Sequence, residues 1–254
     1  MTVFVILILF IFGLIIGSFL NVLIDRLPKD KDIVFERSHC DHCKTKLSPL
    51  DLIPIFSYFF LGGKCRYCRK KISIRNPIIE IISGLAFVIL YRLIYPDLPM
   101  LIYQLAIVGL LIAVFAIDLK ESIIPDKLVI FLVVLTLIFR LLFEPKGIIM
   151  DVLAGVSFAF FFIILILITR GRGMGLGDVK FAFFMGLYLG FIKLIAAFYL
   201  AFLTGAIVSL ILVIGRRKTF KSAIPFGPFL VSAAIISQFY GLQILNYFKM
   251  IFKV

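Results

Sequence analysis

Four cysteines in one short stretch have the spacing of a metal site. They form two Cys-x-x-Cys pairs, and 21 residues separate the pairs. Two such pairs at this distance are typical of a tetrahedral site in which four thiolates bind one zinc ion. The predicted zinc ligands are Cys40, Cys43, Cys65 and Cys68. A site with four protein ligands has no open position for a substrate, so the predicted zinc is structural.

Other interpretations of these cysteines are open at this stage. The pairs could form two disulfides or a dithiol redox centre, although the cytoplasmic location derived below disfavours structural disulfides. The chain has only two histidines, His39 and His42, and both flank the first pair. Either histidine could replace a cysteine as ligand, but we expect both to lie at the surface or beside the ligands.

Two aspartates lie where long apolar segments end and begin. Asp118 ends one such segment, and Asp178 opens another, directly after Gly175 and Gly177. Ionisable groups within a membrane are costly and usually functional. Two carboxylates at one depth can share a proton, so that one acts as general base on a water and the other as general acid. This is aspartic-protease chemistry, and the two glycines would let an extended peptide approach the backbone closely.

Each aspartate also has a simpler interpretation as a polar residue at a helix end. Asp178 would suit a helix N-terminus, where negative charge is favourable. Asp126, after Pro125, is a rival catalytic partner, although it also suits the start of a helix. Glu80 lies just inside a further apolar segment, and it could face a polar cavity or contact a cation.

The chain that must position these residues is more apolar than a soluble protein. Of its 254 residues, 63% are hydrophobic, whereas soluble domains are usually about 45–50% apolar. Its mean hydropathy is +1.16. A helix that spans a membrane needs about 20 mostly apolar residues, and several stretches have that length. We therefore predict an all-α fold, a polytopic membrane helix bundle of about eight transmembrane helices with a small zinc-binding cytoplasmic insertion.

The predicted spans are 3–23, 78–95, 101–118, 127–143, 149–169, 178–190, 192–214 and 226–248, with seven or six spans as alternatives. The first apolar run has no basic beginning and no small-residue cleavage site, so we expect a retained span rather than a signal peptide. The spans divide the chain into three predicted domains. These are a first transmembrane helix at 1–24, a cytoplasmic zinc-binding domain at 25–77 and a membrane domain at 78–254.

The net charge of +13 has a simple explanation in a membrane protein. Lys and Arg collect in cytoplasmic loops, and 21 of the 27 fall in the first, third, fifth and seventh connections between predicted spans. This positive-inside rule predicts that these four connections, including 25–77, lie in the cytoplasm and that both termini lie outside. We therefore expect membrane lipid as a partner and no nucleic acid. About fifty residues cannot bury a large core, so the insertion needs a staple such as a metal.

Six motifs in order along the chain resemble the bacterial type IV prepilin peptidases, the leader peptidase/N-methyltransferase family of GxGD aspartic proteases. The motifs are 17–28, the two cysteine pairs with 51–54 between them, 75–80, Asp118 with 124–126, 174–180 with its Gly-Leu-Gly-Asp, and 224–230. Two positions depart from the family pattern. Asp41 stands where a proline is frequent, and Asn76 stands where a tyrosine is frequent, which concerns local geometry and methylation rather than proteolysis.

The resemblance implies more than the residues alone indicate. Members of this family cleave the basic leader from type IV prepilins or pseudopilins after a glycine, at the cytoplasmic face of the bacterial inner membrane. Many then N-methylate the new amino terminus with S-adenosylmethionine. The family's catalytic pair maps onto Asp118 and Asp178. Methylation is linked to the cytoplasmic region 25–77, where Gly63 matches a glycine implicated in it, and 78–254 becomes the peptidase domain. Such enzymes serve type IV pili or type II secretion.

Two other functions would also accommodate a helical membrane chain. A proton- or cation-coupled transporter with a zinc-binding regulatory domain would use the carboxylates as ion sites. A membrane scaffold would use the zinc domain to bind partners and the aspartates as helix ends. Neither function requires the combination of two cysteine pairs with a Gly-x-Gly-Asp motif, so we favour the peptidase.

Overall fold

The computed structural model describes residues 2–33, 35–171, 174–215 and 224–252, and the regular elements in these ranges are helical. Eight α-helices are present, which confirms the predicted all-α class and helix number. They are α1 (Thr2–Arg26), α2 (Phe56–Phe60), α3 (Arg75–Ile94), α4 (Leu98–Glu121), α5 (Asp126–Phe143), α6 (Ile148–Thr169), α7 (Leu176–Ile214) and α8 (Gly227–Phe252). Two short 3₁₀ helices occupy Leu27–Lys29 and Pro49–Leu52.

Six of the described helices are long and apolar enough to cross a membrane, namely α1, α3, α4, α6, α7 and α8. The chain is thus a multi-pass membrane protein, with the lowest of the three predicted span numbers. Two physical features explain the difference from eight. The 18 residues of α5 include three charged side chains, and the predicted spans 178–190 and 192–214 share α7. Gly190, whose φ of 68° and ψ of 169° are not helical, divides α7 into two helical segments, so the predicted break between these two spans is present.

The charge pattern behind the predicted orientation falls partly outside the described residues. The seventh predicted connection contributes Arg216, Arg217, Lys218 and Lys221, and the fifth contributes Arg172; all five lie outside. The domain limits also stay predictions, although α1 ends at Arg26 and α3 begins at Arg75, close to the predicted 25–77 insertion.

The chain forms two compact units, Met1–Ala113 and Val114–Val254. In the first unit, α1 packs against α3 through glycines that leave no room for side chains. A Cβ on Gly13 would lie 2.7 Å from the Cα of Gly84, and a Cβ on Gly17 would lie 2.6 Å from the Cα of Glu80. Gly13 and Gly17 are four residues apart on one helix face. Small residues at this spacing let membrane helices approach backbone to backbone.

The insertion between α1 and α3 has almost no apolar core. Among its described residues from 28 to 74, only Cys65 is buried. Polar bonds hold the segment instead: the buried Arg26 guanidinium donates to the carbonyls of Asp32 and Glu36 at 2.8 and 2.7 Å. Because burying so little apolar surface contributes little free energy, this segment depends on such bonds and on its cysteine cluster.

Asp51 is the main polar link within the insertion. Its carboxylate accepts the Ser48 backbone N–H at 3.0 Å and the Arg66 Nε–H at 2.6 Å, so it joins the first half of the segment to the second cysteine pair. Burial acts to raise the pKa of Asp51, but the bonds from Ser48 and Arg66 outweigh it and hold that pKa below its usual value. The carboxylate is therefore charged at neutral pH, as these bonds require.

The second unit is organised around α7, which packs against α5, α6 and α8. Helices α6 and α7 touch at Gly155 and Gly186, where a Cβ on Gly155 would lie 2.7 Å from the carbonyl oxygen of Phe183. On the opposite half of α7, Gly205 faces the rings of Phe226 and Phe229 on the approach to and start of α8. These close contacts pack α6 and α8 against α7, and the N-terminal ends of α7 and α8 carry Asp178 and Gly227.

Candidate catalytic and metal sites

Asp118 and Asp178 come together within the second unit. Asp118 lies in the last turn of α4 and Asp178 in the first turn of α7. Both are buried, with 4% and 9% of their surface exposed, and they are close enough for their charges to interact. Burying a carboxylate is costly unless it is compensated, and a second carboxylate nearby increases the cost. Such a pair is the arrangement that shares a proton in acid–base catalysis.

Asp178 also caps its own helix, as the simpler interpretation proposed. Its Oδ2 accepts the backbone N–H of Gly175 at 3.0 Å, so it satisfies a donor at the helix N-terminus. Gly177 has a separate requirement, because a Cβ there would lie 3.1 Å from the Cβ of Ile124. The connection between α4 and α5 therefore packs against the Gly-x-Gly-Asp turn at Gly177. This contact helps to position Asp178.

Asp118 is held against the start of α8. The backbone N–H of Gly227 faces its carboxyl, and a Cβ on Gly227 would lie 2.5 Å from Oδ2. This Oδ2 is buried and has no partner of good hydrogen-bond geometry among the described residues. A buried acceptor in that state is destabilising by about 1–3 kcal/mol. An acceptor of this kind can take a hydrogen bond from a water or from another polar group.

Asp126, the rival partner, is engaged elsewhere. Its Oδ2 forms an ion pair with Lys180 Nζ at 2.7 Å, and both side chains are at least half exposed. This pair ties the start of α5 to the first turns of α7. An exposed, paired carboxylate lacks the burial that favours a shared proton, so the geometry favours Asp118 over Asp126 as the partner of Asp178.

Glu80 links α3 to the insertion through hydrogen bonds. It is buried, and its Oε2 accepts the backbone N–H of Ile55 at 2.7 Å, while the Ser18 hydroxyl donates to the same carboxyl. A side chain of α3 therefore fastens a backbone turn of the insertion to the α1–α3 pair.

The four predicted zinc ligands form one cluster in the first unit. Their sulfur atoms all lie within 4.8 Å of one another, and the thiols are free. The Sγ atoms of Cys40 and Cys68 are 3.8 Å apart. With zinc–sulfur bonds of about 2.3 Å, the edge of a tetrahedral site is about 3.8 Å. The Cys40–Cys68 distance thus equals a tetrahedral edge, and all four sulfurs are close enough to bind one metal ion of this size.

Both cysteine pairs have the same backbone turn. The N–H of Lys44 donates to the carbonyl of Cys40 at 2.9 Å, and the N–H of Arg69 donates to that of Cys65 at 3.0 Å. Lys44 and Arg69 both have positive φ, 58° and 59°. Hydrogen bonds with Thr45 lower the pKa of the Cys43 thiol to about 6. At Cys68, a backbone hydrogen bond at Lys70 is outweighed by burial and by the bonds among the thiols, which raise the pKa of that thiol to about 11.

The two histidines are not part of this cluster in the described structure. His39 Nδ1 lies 3.6 Å from the Glu36 carboxylate, and His42 is exposed. Their positions agree with the expected surface role rather than with replacement of a cysteine.

Gly63 has a structural requirement of its own. It has a φ of +67°, and a Cβ there would lie 3.0 Å from the Cζ and Oη atoms of Tyr58. Its N–H donates to the Tyr58 carbonyl, and its carbonyl accepts from Ile72, both at 2.8 Å. Gly63 therefore closes the turn between α2 and Cys65, and its predicted link to methylation would act through the shape of this turn.

Sequence reasoning did not find several residues that shape these sites. Gly227 was noted only as part of the 224–230 segment, and nothing in that pattern indicates that it faces Asp118. The contact of Ile124 with Gly177 and the bond from Ile55 to Glu80 are likewise tertiary. The one sequence feature that could have indicated these contacts is the presence of glycine at 177 and 227, since glycine is favoured where another group closely approaches the backbone.

An all-helical, multi-pass membrane protein with a buried aspartate pair and a four-cysteine cluster is the class that the fold and sites define. Residues 11–94 match the model of the bacterial peptidase A24 N-terminal domain, and residues 105–210 match that of the type IV leader peptidase family. The chain belongs to the type IV leader peptidase family.

Curated relatives support the same assignment over nearly the full length. The prepilin leader peptidase/N-methyltransferase of Bacillus subtilis is 31% identical over 95% of this chain and 96% of its own length. Proteins with the same name from Aeromonas salmonicida and Legionella pneumophila are 31% and 30% identical, over 94% and 96% of this chain and 92% and 94% of theirs. No solved structure is significantly similar to the chain.

Purified protein is expected to contain about one zinc equivalent per chain, because the four sulfurs lie within 4.8 Å of one another and four such ligands bind one zinc ion. Cys65→Ser should lose most of the zinc and increase amide hydrogen exchange throughout the insertion, which has no core to replace the metal. His42→Ala is the matched control and should keep both zinc and protection. Zinc near zero in the parent protein, with oxidised thiols, would contradict the prediction.

Proposed function

We propose that this protein is a prepilin peptidase, an aspartic endopeptidase that removes the basic leader from type IV prepilins or pseudopilins. The observation that carries the proposal is the buried Asp118–Asp178 pair in a chain of the leader peptidase family. The relatives' name adds a second activity, N-methylation of the new amino terminus. No comparison supports the alternative of a proton- or cation-coupled transporter.

The proposed hydrolysis uses one carboxylate as base and the other as acid. The ionised member takes a proton from a water, whose oxygen attacks the scissile carbonyl carbon. The protonated member first donates a hydrogen bond to the carbonyl oxygen and then a proton to the leaving amine as the C–N bond breaks. The unsatisfied Oδ2 of Asp118 offers an acceptor for the water. The pair ends with one proton, as it began, so no external acid or base is consumed.

We place the reaction at the cytoplasmic face of the bacterial inner membrane. The excess of Lys and Arg in alternate connections supports this orientation, and both aspartates lie at helix ends rather than near the middle of their helices. A basic leader would remain in the cytoplasm while the apolar part of the prepilin stays in the bilayer.

Zinc and S-adenosylmethionine are the proposed cofactors of the first unit. Cys40, Cys43, Cys65 and Cys68 would hold the zinc, whose contribution is to fold the insertion. The bound methyl donor would supply the methyl group. At the end of the α1–α3 pair, the buried acceptor Asn21 Oδ1 and the buried donor Arg75 Nε have no partners in the described structure. These atoms complement the ammonium and carboxylate of an amino-acid moiety such as the donor carries.

Asp118→Asn and Asp178→Asn should each lower prepilin cleavage by about 100-fold or more, because either change removes half of the acid–base pair. The measurement is the rate of leader release by purified, folded enzyme in lipid vesicles. Asp126→Asn is the matched control and should retain most activity, since its exposed carboxylate pairs with the exposed Lys180. Full cleavage by Asp178→Asn would refute the proposal.

Gly227→Ala should lower cleavage by about 100-fold, because displacement of a catalytic group by about 1 Å has effects of that size. The added methyl group would overlap Asp118 Oδ2. Gly109→Ala in the same helix as Asp118 is the control, since its Cβ would meet only Ile16 Cγ2 at 3.9 Å. Equal rates for the two variants would show that the start of α8 does not position Asp118.

Gly63→Ala should lose methyl transfer while retaining cleavage. The neighbouring Gly62→Ala is a close control, because Gly62 also has a positive φ but has no atom within 4 Å of its Cβ position. Both substitutions strain the backbone, and only the first also clashes with Tyr58. The assay is transfer of labelled methyl from S-adenosylmethionine to cleaved prepilin. Equal labelling with both variants, or no labelling with the parent enzyme, would contradict the link between this turn and methylation.

A further inference from the structure

The insertion carries an apolar surface that its own fold leaves uncovered. Six large apolar side chains in segment 50–60 are exposed, namely Leu50, Leu52, Ile53, Phe56, Phe59 and Phe60. On α2, positions 56, 59 and 60 share one helix face. Phe59 and Phe60 are 70% and 86% exposed. Water-exposed phenylalanines in such a group mark an interaction surface rather than ordinary surface variation.

This segment is fastened to a membrane-spanning helix. The Glu80 carboxylate in α3 accepts the N–H of Ile55 at 2.7 Å. Ile55 has a φ of 64° and ψ of −54°, and the Phe56 N–H reaches the carbonyl of Pro54 at 2.6 Å, so a tight turn presents its N–H to Glu80. Glu80 is the sixth residue of α3, about 7–8 Å along the helix from its start. The bond thus sets segment 50–60 at the level of the first turns of α3.

The charges of the insertion complement an anionic membrane surface. Residues 25–77 contain twelve Lys and Arg against six Asp and Glu. Exposed basic side chains occur on both sides of segment 50–60, at Lys44 and Lys46 before it and at Lys70 and Lys71 after it. Basic groups beside exposed aromatic and aliphatic side chains are the composition of segments that lie in the lipid headgroup region.

We propose that segment 50–60 is an interfacial membrane anchor, whose partner is the headgroup–acyl boundary of an anionic lipid leaflet. Phe56, Phe59 and Phe60 insert into the boundary, and the flanking lysines contact lipid phosphates. The Glu80–Ile55 bond holds the anchor at the depth that this requires. The anchor keeps the cysteine cluster at the membrane surface instead of letting the insertion extend into water, and it does not depend on either proposed catalytic activity.

The chain contains no tryptophan, so a single introduced one reports its surroundings without background. Full-length Phe60→Trp and Phe59→Trp are reconstituted in vesicles of phosphatidylglycerol and phosphatidylcholine, and quenching by bromine-labelled acyl chains is compared with quenching by aqueous iodide. Phe12→Trp, on the exposed side of α1, is the lipid-facing control. Tyr67→Trp, 47% exposed on the turn of the second cysteine pair, is the water-facing control.

Phe60→Trp is expected to be quenched by brominated lipid about as strongly as Phe12→Trp, and several-fold more than Tyr67→Trp. In vesicles of phosphatidylcholine alone, quenching should fall for Phe60→Trp and stay unchanged for Phe12→Trp. Glu80→Ala, combined with Phe60→Trp, should also reduce lipid quenching, because it removes the acceptor that binds the Ile55 N–H. The parent Glu80 with the same tryptophan is the reference.

Iodide quenching of Phe60→Trp and Phe59→Trp at the level of Tyr67→Trp would overturn the proposal. Protection from iodide only after prepilin is added would also overturn it, and would assign the surface to the substrate. Equal lipid quenching in neutral and anionic vesicles would overturn the assignment of anionic headgroups as the partner. None of these readouts requires cleavage or methylation, so they are independent of the proposed function.

Discussion

The cost of holding two carboxylates out of water is the constraint on which the second unit depends. Asp118 and Asp178 are buried and their charges interact, so the surrounding helices must supply the free energy that keeps them together. A glycine lies close to each aspartate. A Cβ on Gly227 would lie 2.5 Å from Asp118 Oδ2, and a Cβ on Gly177 would be in tight contact with Ile124 at 3.1 Å. The close packing of α7 with α6 and α8 stabilises the helices that hold the two aspartates together. Among the described residues, Asp118 Oδ2 has no hydrogen-bond partner of good geometry.

The first unit solves a different problem, because its insertion is too small to have a core. Only Cys65 is buried among the described residues from 28 to 74, so specific bonds replace apolar burial. Asp51 and Arg26 supply polar links, and the cysteine cluster supplies the geometry of a metal site. Glu80 then joins this segment to α3. The exposed phenylalanines follow from the same limit, since the insertion has no interior in which to bury them.

The sequence predicted what depends on local pattern and composition. The length of the apolar segments predicted the long helices. The Cys-x-x-Cys spacing predicted that the four sulfurs form one cluster. Asp118 and Asp178 lie at helix ends, as the sequence predicted. It did not predict features that depend on tertiary packing. The contact of Gly227 with Asp118 is one such feature, whereas the predicted break between 178–190 and 192–214 is present at the non-helical Gly190. The exposed ion pair of Asp126 with Lys180 requires two helices to be neighbours, which no periodicity reveals.

The central claim is that Asp118 and Asp178 act as one catalytic unit. The most direct test is the cleavage rate of the Asp118→Asn/Asp178→Asn double variant, measured with the two single variants on one prepilin in the same vesicles. Groups that act as a unit are non-additive, so the double variant should be no slower than the slower single variant. Losses that multiply in the double variant, or a single variant with the parent rate, would contradict the account.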